Sequence, residues 1–121
     1  MLAARPDRLF FLTATVACDS ASYGHRTLAT SLRKLRRRQV WRRSVAGSEE
    51  HLQAKPCRAG SARRWNVHIH AVVELRAGAT LDHQALDEAW RELLGHHGLP
   101  GRIDVRPIRN QWAATSEEVW R

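Results

Sequence analysis

Long apolar runs, cysteine motifs and a secretion signal are all missing from this sequence. No stretch of about 18 consecutive apolar residues occurs, so we expect no membrane-spanning helix. The residues from Met1 to Arg8 lack the apolar core of a signal peptide, and a cytoplasmic protein is therefore expected. The two cysteines, Cys18 and Cys57, stand far apart without a Cys-x-x-Cys motif, and we predict that both remain reduced thiols.

Acidic residues and lysine are also scarce. The 20 Lys and Arg residues outnumber the 12 Asp and Glu residues, which gives a formal net charge of +8. Such an excess favours a polyanionic partner. Only Lys34 and Lys55 are lysines. A GC-rich coding bias explains that ratio as well as any function does, but it explains neither the net charge nor its clustering.

The chain has 121 residues, 43% of them hydrophobic, which suffices for one domain with one core. Alternating and helical spacings of apolar residues predict six elements in the order strand, helix, strand, strand, helix, strand, at 9–17, 25–41, 45–55, 65–75, 81–97 and 102–106. This βαββαβ order predicts an α+β, ferredoxin-like fold: an antiparallel sheet with both helices on one face. The other face of the sheet would then be uncovered.

The same periodicities predict which side chains form the core. The strands should contribute Phe10, Leu12, Ala14, Val16, Leu52, Ala54, Val67, Ile69, Ala71, Val73 and Leu75. The helices should contribute Leu28, Ala29, Leu32, Leu35, Leu86, Ala89, Trp90, Leu93 and Leu94. Trp41 is interpreted as a core residue, with stacking on a nucleic-acid base as the alternative. Gly98 is predicted to end the second helix.

Polar residues fall on the uncovered face of the predicted sheet: Thr13, Thr15, His51, Gln53, His68 and His70. His68 and His70 lie roughly 6.8 Å apart along their strand and point the same way, so their rings can converge on one ion. A bare pair of this kind is more often two solvent-facing histidines. Two ligands also rarely hold a metal, and a third is needed.

The third ligand would come from the neighbouring predicted strand. The candidates are Gln53, His51 and Glu50, with Glu49 less suitable, and the alternation of that strand favours Gln53 and His51. A set that includes His51 or Cys57 would suit zinc. A set of Gln53 and the two histidines would suit Mg²⁺ or Mn²⁺ acting on a phosphate.

The first predicted helix and the residues after it carry eight basic residues and no acid: Arg26, Arg33, Lys34, Arg36, Arg37, Arg38, Arg42 and Arg43. Because like charges on neighbouring helical turns repel each other, we expect a phosphate backbone to bind here. A merely solvated helix face is the alternative. The predicted DNA contacts are Thr13, Thr15, Arg36, Arg37, Arg38, Arg63 and Arg64.

Two segments resemble the rolling-circle replication initiator (Rep) family of plasmids, which belongs to the HUH endonucleases. Phe11-Leu12-Thr13-Ala14-Thr15-Val16 is similar to the family's FLTLT motif. Trp65-Asn66-Val67-His68-Ile69-His70 is similar to its W-x-x-H-U-H motif, where U is apolar. The resemblance covers roughly residues 9–121. It implies that His68 and His70 bind a divalent cation, Mg²⁺ or Mn²⁺, which polarises the scissile phosphate of single-stranded origin DNA. Gln53 would take the place of the family's usual Glu ligand.

The resemblance also implies a tyrosine nucleophile on a helix after the fourth strand. That tyrosine becomes linked to the DNA 5′ end and frees a 3′-OH that primes replication. The only tyrosine of the sequence, Tyr23, follows the first strand instead. Thr115 and Glu118 form a capping-box pattern that should open a third helix, and the sequence stops at Arg121 after under two turns of it.

The nucleophilic tyrosine is therefore expected beyond Arg121. We expect residues 1–121 to be one Rep catalytic domain, truncated before its tyrosine and unable to cleave alone. The alternatives are a transposase or relaxase fragment of the same superfamily and a non-catalytic, basic nucleic-acid-binding module.

Overall fold

The computed structural model describes residues 8–57 and 63–108. Its elements are β1 (Leu9–Cys18), α1 (Ala21–Leu35), α2 (Gln39–Arg42), β2 (Val45–Pro56), β3 (Trp65–Leu75), α3 (His83–Gly95) and β4 (Ile103–Pro107). The strands of this part of the chain form one antiparallel sheet in the order β2-β3-β1-β4. This confirms the predicted α+β fold with its split βαβ order. The third helix, predicted to open at Thr115 and to be incomplete at Arg121, falls outside the described residues.

Both long helices cover the same face of the sheet. Opposite pairs of β1 and β3 that turn to this face, such as Leu12 with Ala71 and Ala14 with Ile69, are at most 1% exposed. The helices add Leu28, Leu32, Leu35, Leu86, Ala89, Trp90, Leu93 and Leu94 to the same core. Full burial of one large apolar side chain contributes about 1.5–3 kcal/mol, so this layer is the main source of stability.

The first helix differs from the sequence prediction at both ends. It begins at Ala21 because Ser20 caps it, with the Ser20 side chain accepting a hydrogen bond from the Tyr23 N–H at 3.3 Å. It ends at Leu35, and the short α2 follows. Trp41 of α2 is 6% exposed and belongs to the core, as predicted. Ala29 is exposed, so the prediction that it widens the apolar stripe was wrong.

A bulge in β2 changes the face of the sheet to which the following side chains point. Val45 lies opposite Leu75 and is buried under the helices, whereas Gln53 lies opposite His68 on the uncovered face. In a regular strand, residues an even number of positions apart point to the same face, and Val45 and Gln53 are an even number of positions apart. Without an irregularity they could not point to opposite faces. The register shifts between Val45 and Gly47, which leaves one extra residue at Ala46 and allows the opposite directions.

Leu52 corrects the predicted core. It lies opposite Ile69, so its side chain is on the helix side, yet it is 38% exposed. The reason is that β2 is an edge strand, and the helices pack mainly over the other strands. Ala54 of the same strand is half-buried against the core, in agreement with its predicted direction.

The connection from α3 to β4 shapes the end of the uncovered face. Gly98 has a φ of +66°, a left-handed conformation that turns the chain after the helix, as predicted for this position. The residues before β4 continue its pairing with β1: Thr15 donates its N–H to Arg102 O at 2.8 Å, and Ala17 donates to Pro100 O at 2.9 Å. A Cβ at Gly101 would overlap the Thr15 carbonyl group, so only glycine allows this approach. Within residues 8–57 and 63–108, no helix has the length and apolar character needed to cross a membrane.

Candidate metal and nucleic-acid site

The uncovered face carries its polar residues in two rows that cross the strands. One row, from β2 to β4, is His51, His70, Thr13 and Asp104. The neighbouring row is Gln53, His68 and Thr15. Because directly opposite residues of antiparallel strands point to the same face, the sheet places all six predicted polar residues on one surface. Asp104 is a member of the first row that the sequence analysis did not predict.

The two histidines are not a solvent-facing pair. Their ring centroids are 5.2 Å apart, and the His70 side chain is only 6% exposed. Phe11 stacks on the His70 ring with a centroid distance of 5.7 Å and an interplanar angle of 3°. From the neighbouring strand β1, Thr13 Oγ1 lies 3.4 Å from His70 Nδ1. This packing holds the ring in one orientation and shields it from water.

Burial lowers the pKa of both histidines below their usual value of 6.5. For His68 the positive charge of Lys55 acts in the same direction. For His70 the second cause is His68, followed by Lys55 and His51. Both rings are therefore neutral at pH 7, and a neutral imidazole is the form that binds a metal ion.

Two buried polar atoms on this face lack a hydrogen-bond partner. Within the described part of the chain, neither His68 Nε2 nor Gln53 Oε1 makes a hydrogen bond, although both atoms are shielded from solvent. These two residues lie directly opposite each other. Because buried polar atoms nearly always have partners, an orphaned ring nitrogen beside an orphaned amide oxygen fits part of a ligand shell. Together with His70, these residues fit a divalent cation held by nitrogen and oxygen.

The other proposed ligands are placed differently. Glu50 lies opposite Ala71 and so points to the helix side, in agreement with the preference for Gln53 over Glu50. In residues 8–57 and 63–108, no three His, Cys, Asp or Glu side chains group as a metal site would require. Neither His51 nor Cys57 therefore completes a zinc set with the two histidines. Gln53, which lies opposite His68, stays the predicted third ligand.

The arginines after α1 lie on the opposite side of the sheet from the histidines. Arg36 forms an ion pair with Glu50, and Arg38 forms one with Glu92 of α3 at 3.3 Å. The sequence could not show this compensation because both carboxylates come from other elements. Arg37 is exposed, with no carboxylate within 4.0 Å among the described residues. The predicted contacts at Arg36–Arg38 thus form a surface separate from the histidine rows.

Three further predicted DNA contacts lie nearer the histidines. The Thr15 hydroxyl accepts a hydrogen bond from the Arg102 N–H at 3.1 Å, so it stabilises the edge of the sheet. Arg63 pairs with Asp19 at 3.2 Å, and the adjacent Arg64 is exposed. Both arginines directly precede β3, at the end of the sheet where Cys57 N–H donates to Arg64 O.

The predicted nucleophile has no position in this geometry. It was expected beyond Arg121, and residues 109–121 lie outside the described part of the chain. Tyr23, the only tyrosine of the sequence, lies in the first turn of α1, and α1 packs on the helix side of the sheet. The location of the nucleophile therefore stays a prediction, and Tyr23 does not substitute for it.

A cleft of about 610 Å³ opens at this end of the uncovered face, and one of its lining residues, Thr15, lies opposite His68. It is lined by Thr15, Ala17, Cys57, Asn66, Arg91, Leu99, Pro100, Gly101 and Arg102. Asp87 organises its rim, because it accepts a hydrogen bond from Ile103 N–H at 2.8 Å and pairs with Arg91 at 3.0 Å and Arg102 at 3.7 Å. The cleft therefore combines an apolar floor with two fixed guanidinium groups.

Three residues of this face were missed by the sequence analysis: Asp104, Arg102 and Arg106. Alternation along β1 already places Phe11 on this face, but it does not show that the ring stacks on His70. Arg106 lies opposite Phe11 and pairs with Asp104 at 2.9 Å. The alternation within 102–106 was a usable signal that the three charged residues share a face. It could not show which face, because that depends on the register with β1.

Comparisons with known proteins assign no function to the residues of this site. No protein-family model matches the chain, and no curated protein matches it. One similar solved structure is a DUF3240 family protein from Shewanella baltica OS155, with 13% identity, 88% of this chain and 97% of that chain covered, and a TM-score of 0.46. Another is a hydantoinase/carbamoylase family amidase from Burkholderia ambifaria, with 16% identity, 81% and 27% coverage, and a TM-score of 0.41. Likenesses this weak carry no argument about function.

Proposed function

We propose that this chain is the metal- and DNA-binding part of a replication initiator that nicks and joins single-stranded DNA at a plasmid origin. The observation that carries the proposal is the orphaned pair of buried atoms, His68 Nε2 and Gln53 Oε1, beside His70 on the uncovered face. The match of Phe11–Val16 and Trp65–His70 to the two Rep motifs supports it.

His68, His70 and Gln53 would hold the cation, which in our proposal is Mg²⁺ or Mn²⁺. When bound, such a cation polarises a phosphate oxygen and offsets the negative charge that develops during phosphodiester transfer. The surrounding residues prepare the site: Phe11 excludes water from His70, and Thr13 fixes the orientation of its ring. Gln53 contributes no charge, so the ligand set is less negative than one that contains Glu.

Single-stranded DNA would cross the uncovered face and enter the cleft that Thr15 lines. The guanidinium groups of Arg91 and Arg102 lie at the cleft, where they can neutralise phosphates. The apolar floor offers a surface for a base or a sugar. Arg63 and Arg64 lie at the same end of the sheet and would contact the DNA backbone as it enters.

Cleavage needs a tyrosine nucleophile at the histidines, and Tyr23 is the only tyrosine of the sequence. Because Tyr23 packs with α1 away from the histidines, we expect the 121 residues to bind metal and DNA without cutting. The position of Tyr23 away from the histidines also favours a second candidate function, a non-catalytic nucleic-acid-binding module. We place either activity in the cytoplasm, because Cys18 and Cys57 are free thiols.

Calorimetric titration with Mn²⁺ tests the metal site. The wild-type chain should bind Mn²⁺, and the double variant His68→Ala with His70→Ala should not. His96→Ala, which removes an exposed histidine at the end of α3, is the matched control and should bind as the wild type does. Unchanged titration of the double variant would exclude this metal site.

Fluorescence anisotropy with a labelled single-stranded oligonucleotide separates the two candidate functions. In the initiator proposal, EDTA and the double histidine substitution should both weaken DNA binding. If neither changes the affinity, the binding-module function is the better account. A covalent DNA adduct on Tyr23 would contradict the expectation that this chain does not cut.

A further inference from the structure

We propose that Arg42, Arg43 and Arg76 form a second phosphate-binding site, which holds backbone phosphates of single-stranded DNA away from the histidine face. The three arginines and Gln39 surround a groove of about 380 Å³ between α2 and the turn after β3. This inference rests on the proposed DNA binding, but it does not depend on the metal site.

The charge of this groove is uncompensated. Six other arginines of the described part of the chain pair with carboxylates: Arg36, Arg38, Arg63, Arg91, Arg102 and Arg106. Arg26, Arg33, Arg37 and Arg64 have no such pair there, but they do not line this groove. Within residues 8–57 and 63–108, no carboxylate lies within 4.0 Å of the side-chain nitrogens of Arg42, Arg43 or Arg76. Three clustered guanidinium groups without an acid repel each other, and an anion bound between them would relieve that repulsion.

The groove is built on fixed backbone. Arg76 Nε donates to the Arg42 carbonyl oxygen at 3.0 Å, and the Arg76 N–H donates to Ser44 O at 2.8 Å. The buried Ser44 in turn donates its hydroxyl to Thr80 O at 2.9 Å. Trp41, also buried, anchors α2 in the core. The guanidinium of Arg76 is therefore held in place before a ligand arrives, which reduces the entropy lost on binding.

The position of the groove favours an extended polyanion. It lies where β3 ends and β2 begins, whereas the cleft that Thr15 lines lies at the other end of β3. The strand separates Arg76 from His70 by about 20 Å, at roughly 3.3 Å for each residue. A single strand of DNA long enough to reach both places would be held at two points. Guanidinium groups bind phosphate oxygens through paired N–H donors, which suits the diester groups of such a strand.

The salt dependence of DNA binding tests the site. Binding of a labelled single-stranded oligonucleotide is measured by anisotropy over a range of NaCl concentrations, with EDTA present so that metal at the histidine face cannot contribute. The variant Arg42→Gln/Arg43→Gln/Arg76→Gln should bind more weakly, and the slope of log K against log salt should flatten by about 2, at about 0.7 for each lost phosphate contact. The matched control Arg36→Gln/Arg38→Gln removes two arginines whose charge is offset by Glu50 and Glu92, and it should flatten the slope much less than the triple variant does.

A second variant is needed because the Arg76 side chain also hydrogen-bonds to the backbone, so its loss in the triple variant could disturb the fold. Arg43→Glu keeps the bond from Arg76 to Arg42 and should still weaken binding and flatten the slope. An unchanged slope in both variants would overturn the inference, as would an equal loss in the control. No DNA binding by the wild-type chain would instead overturn the proposed function.

Calorimetry with tripolyphosphate distinguishes a DNA backbone from a free polyphosphate as the ligand. We expect only weak binding of tripolyphosphate to the wild-type chain. Tight binding that the triple substitution abolishes, without any change in the DNA slope, would overturn the assignment to DNA.

Discussion

Trp90 donates its indole N–H to the backbone carbonyl oxygen of Thr15 at 2.9 Å. Gly101 packs against the same carbonyl group, and Trp90 itself is fully buried. The bond thus satisfies a strand carbonyl from the helix layer. Thr15 lies opposite His68, so the hydrogen bond from Trp90 also links α3 to the strand position next to the proposed metal site.

Trp90→Phe should remove this bond while keeping an aromatic ring in the core. The Thr15 carbonyl would then be buried without its donor, which costs about 1–3 kcal/mol beyond the lost packing. Urea denaturation measures the difference. Trp41→Phe is the control, since Trp41 is a buried aromatic residue of α2 with the same change in volume. Equal losses in the two variants would show that packing alone, and not the hydrogen bond, accounts for the effect.

Gly101→Ala should distort the edge of the sheet beside the cleft. The added Cβ would overlap backbone atoms of Thr15, which cannot move aside as a flexible side chain can. We expect a loss of about 1–3 kcal/mol, as for other overpacked sites, and a lower melting temperature. Gly95→Ala in α3 meets nothing within 4 Å and should stabilise the helix by up to about 1 kcal/mol. A fully stable Gly101→Ala variant would contradict the close approach of the two chain segments at this edge.

Phe11→Ala should raise the pKa of His70. Burial is the largest cause of the lowered pKa, and the Phe11 ring covers the imidazole. Its removal should move the pKa towards 6.5, as measured by NMR titration of the histidine ring protons. Phe10→Ala is the control, because Phe10 packs against the core on the other face. If the two variants shift the pKa of His70 equally, the stacked ring is not what shields it.

The same lowered pKa values predict how stability depends on pH in the metal-free chain. Because the folded pKa of His68 and His70 lies below 6.5, the unfolded chain binds more protons as the pH falls through this region. The free energy of unfolding should therefore decrease as the pH drops below about 6.5, until the folded pKa is passed. Urea denaturation across this range checks the sign. The double variant His68→Gln with His70→Gln should show a weaker decrease.

Gln53→Glu should tighten Mn²⁺ binding. A carboxylate in place of the amide adds one negative charge to the ligand set, and we expect a gain of about tenfold, equivalent to about 1.4 kcal/mol. Gln53→Leu should weaken binding. His51→Ala, opposite His70 on the same strand, should change the affinity little. The reverse result would make His51 the third ligand.

Strong periodicity explains what the sequence could predict. In β3 the residues Val67, Ile69, Ala71, Val73 and Leu75 are all buried as expected. A central strand has neighbours on both sides, so alternation alone decides which of its residues enter the core. Leu52 failed the same rule because its strand lies at the edge, where fewer neighbours cover it.

The site was only partly predictable for a related reason. Alternation placed His68, His70 and Gln53 on one face, and the register agrees. The stacking of Phe11 on His70 and the pairing of Arg36 with Glu50 join elements distant in the sequence. Such contacts depend on the strand register and on helix placement, which composition and spacing do not contain. The ligand role of the histidines and the resemblance to Rep proteins stay predictions.

The bulge at Ala46 determines which residues accompany the histidines. In an unbroken ladder with Val45 still in the core, the rest of β2 would shift by one position against β3. Glu50 would then lie opposite His70, and Leu52 opposite His68, in place of His51 and Gln53. The number of residues at the start of β2 thus determines which side chains lie opposite His68 and His70. A homologue with one residue inserted between Gly47 and Glu50 would present a carboxylate and a leucine to the same two histidines.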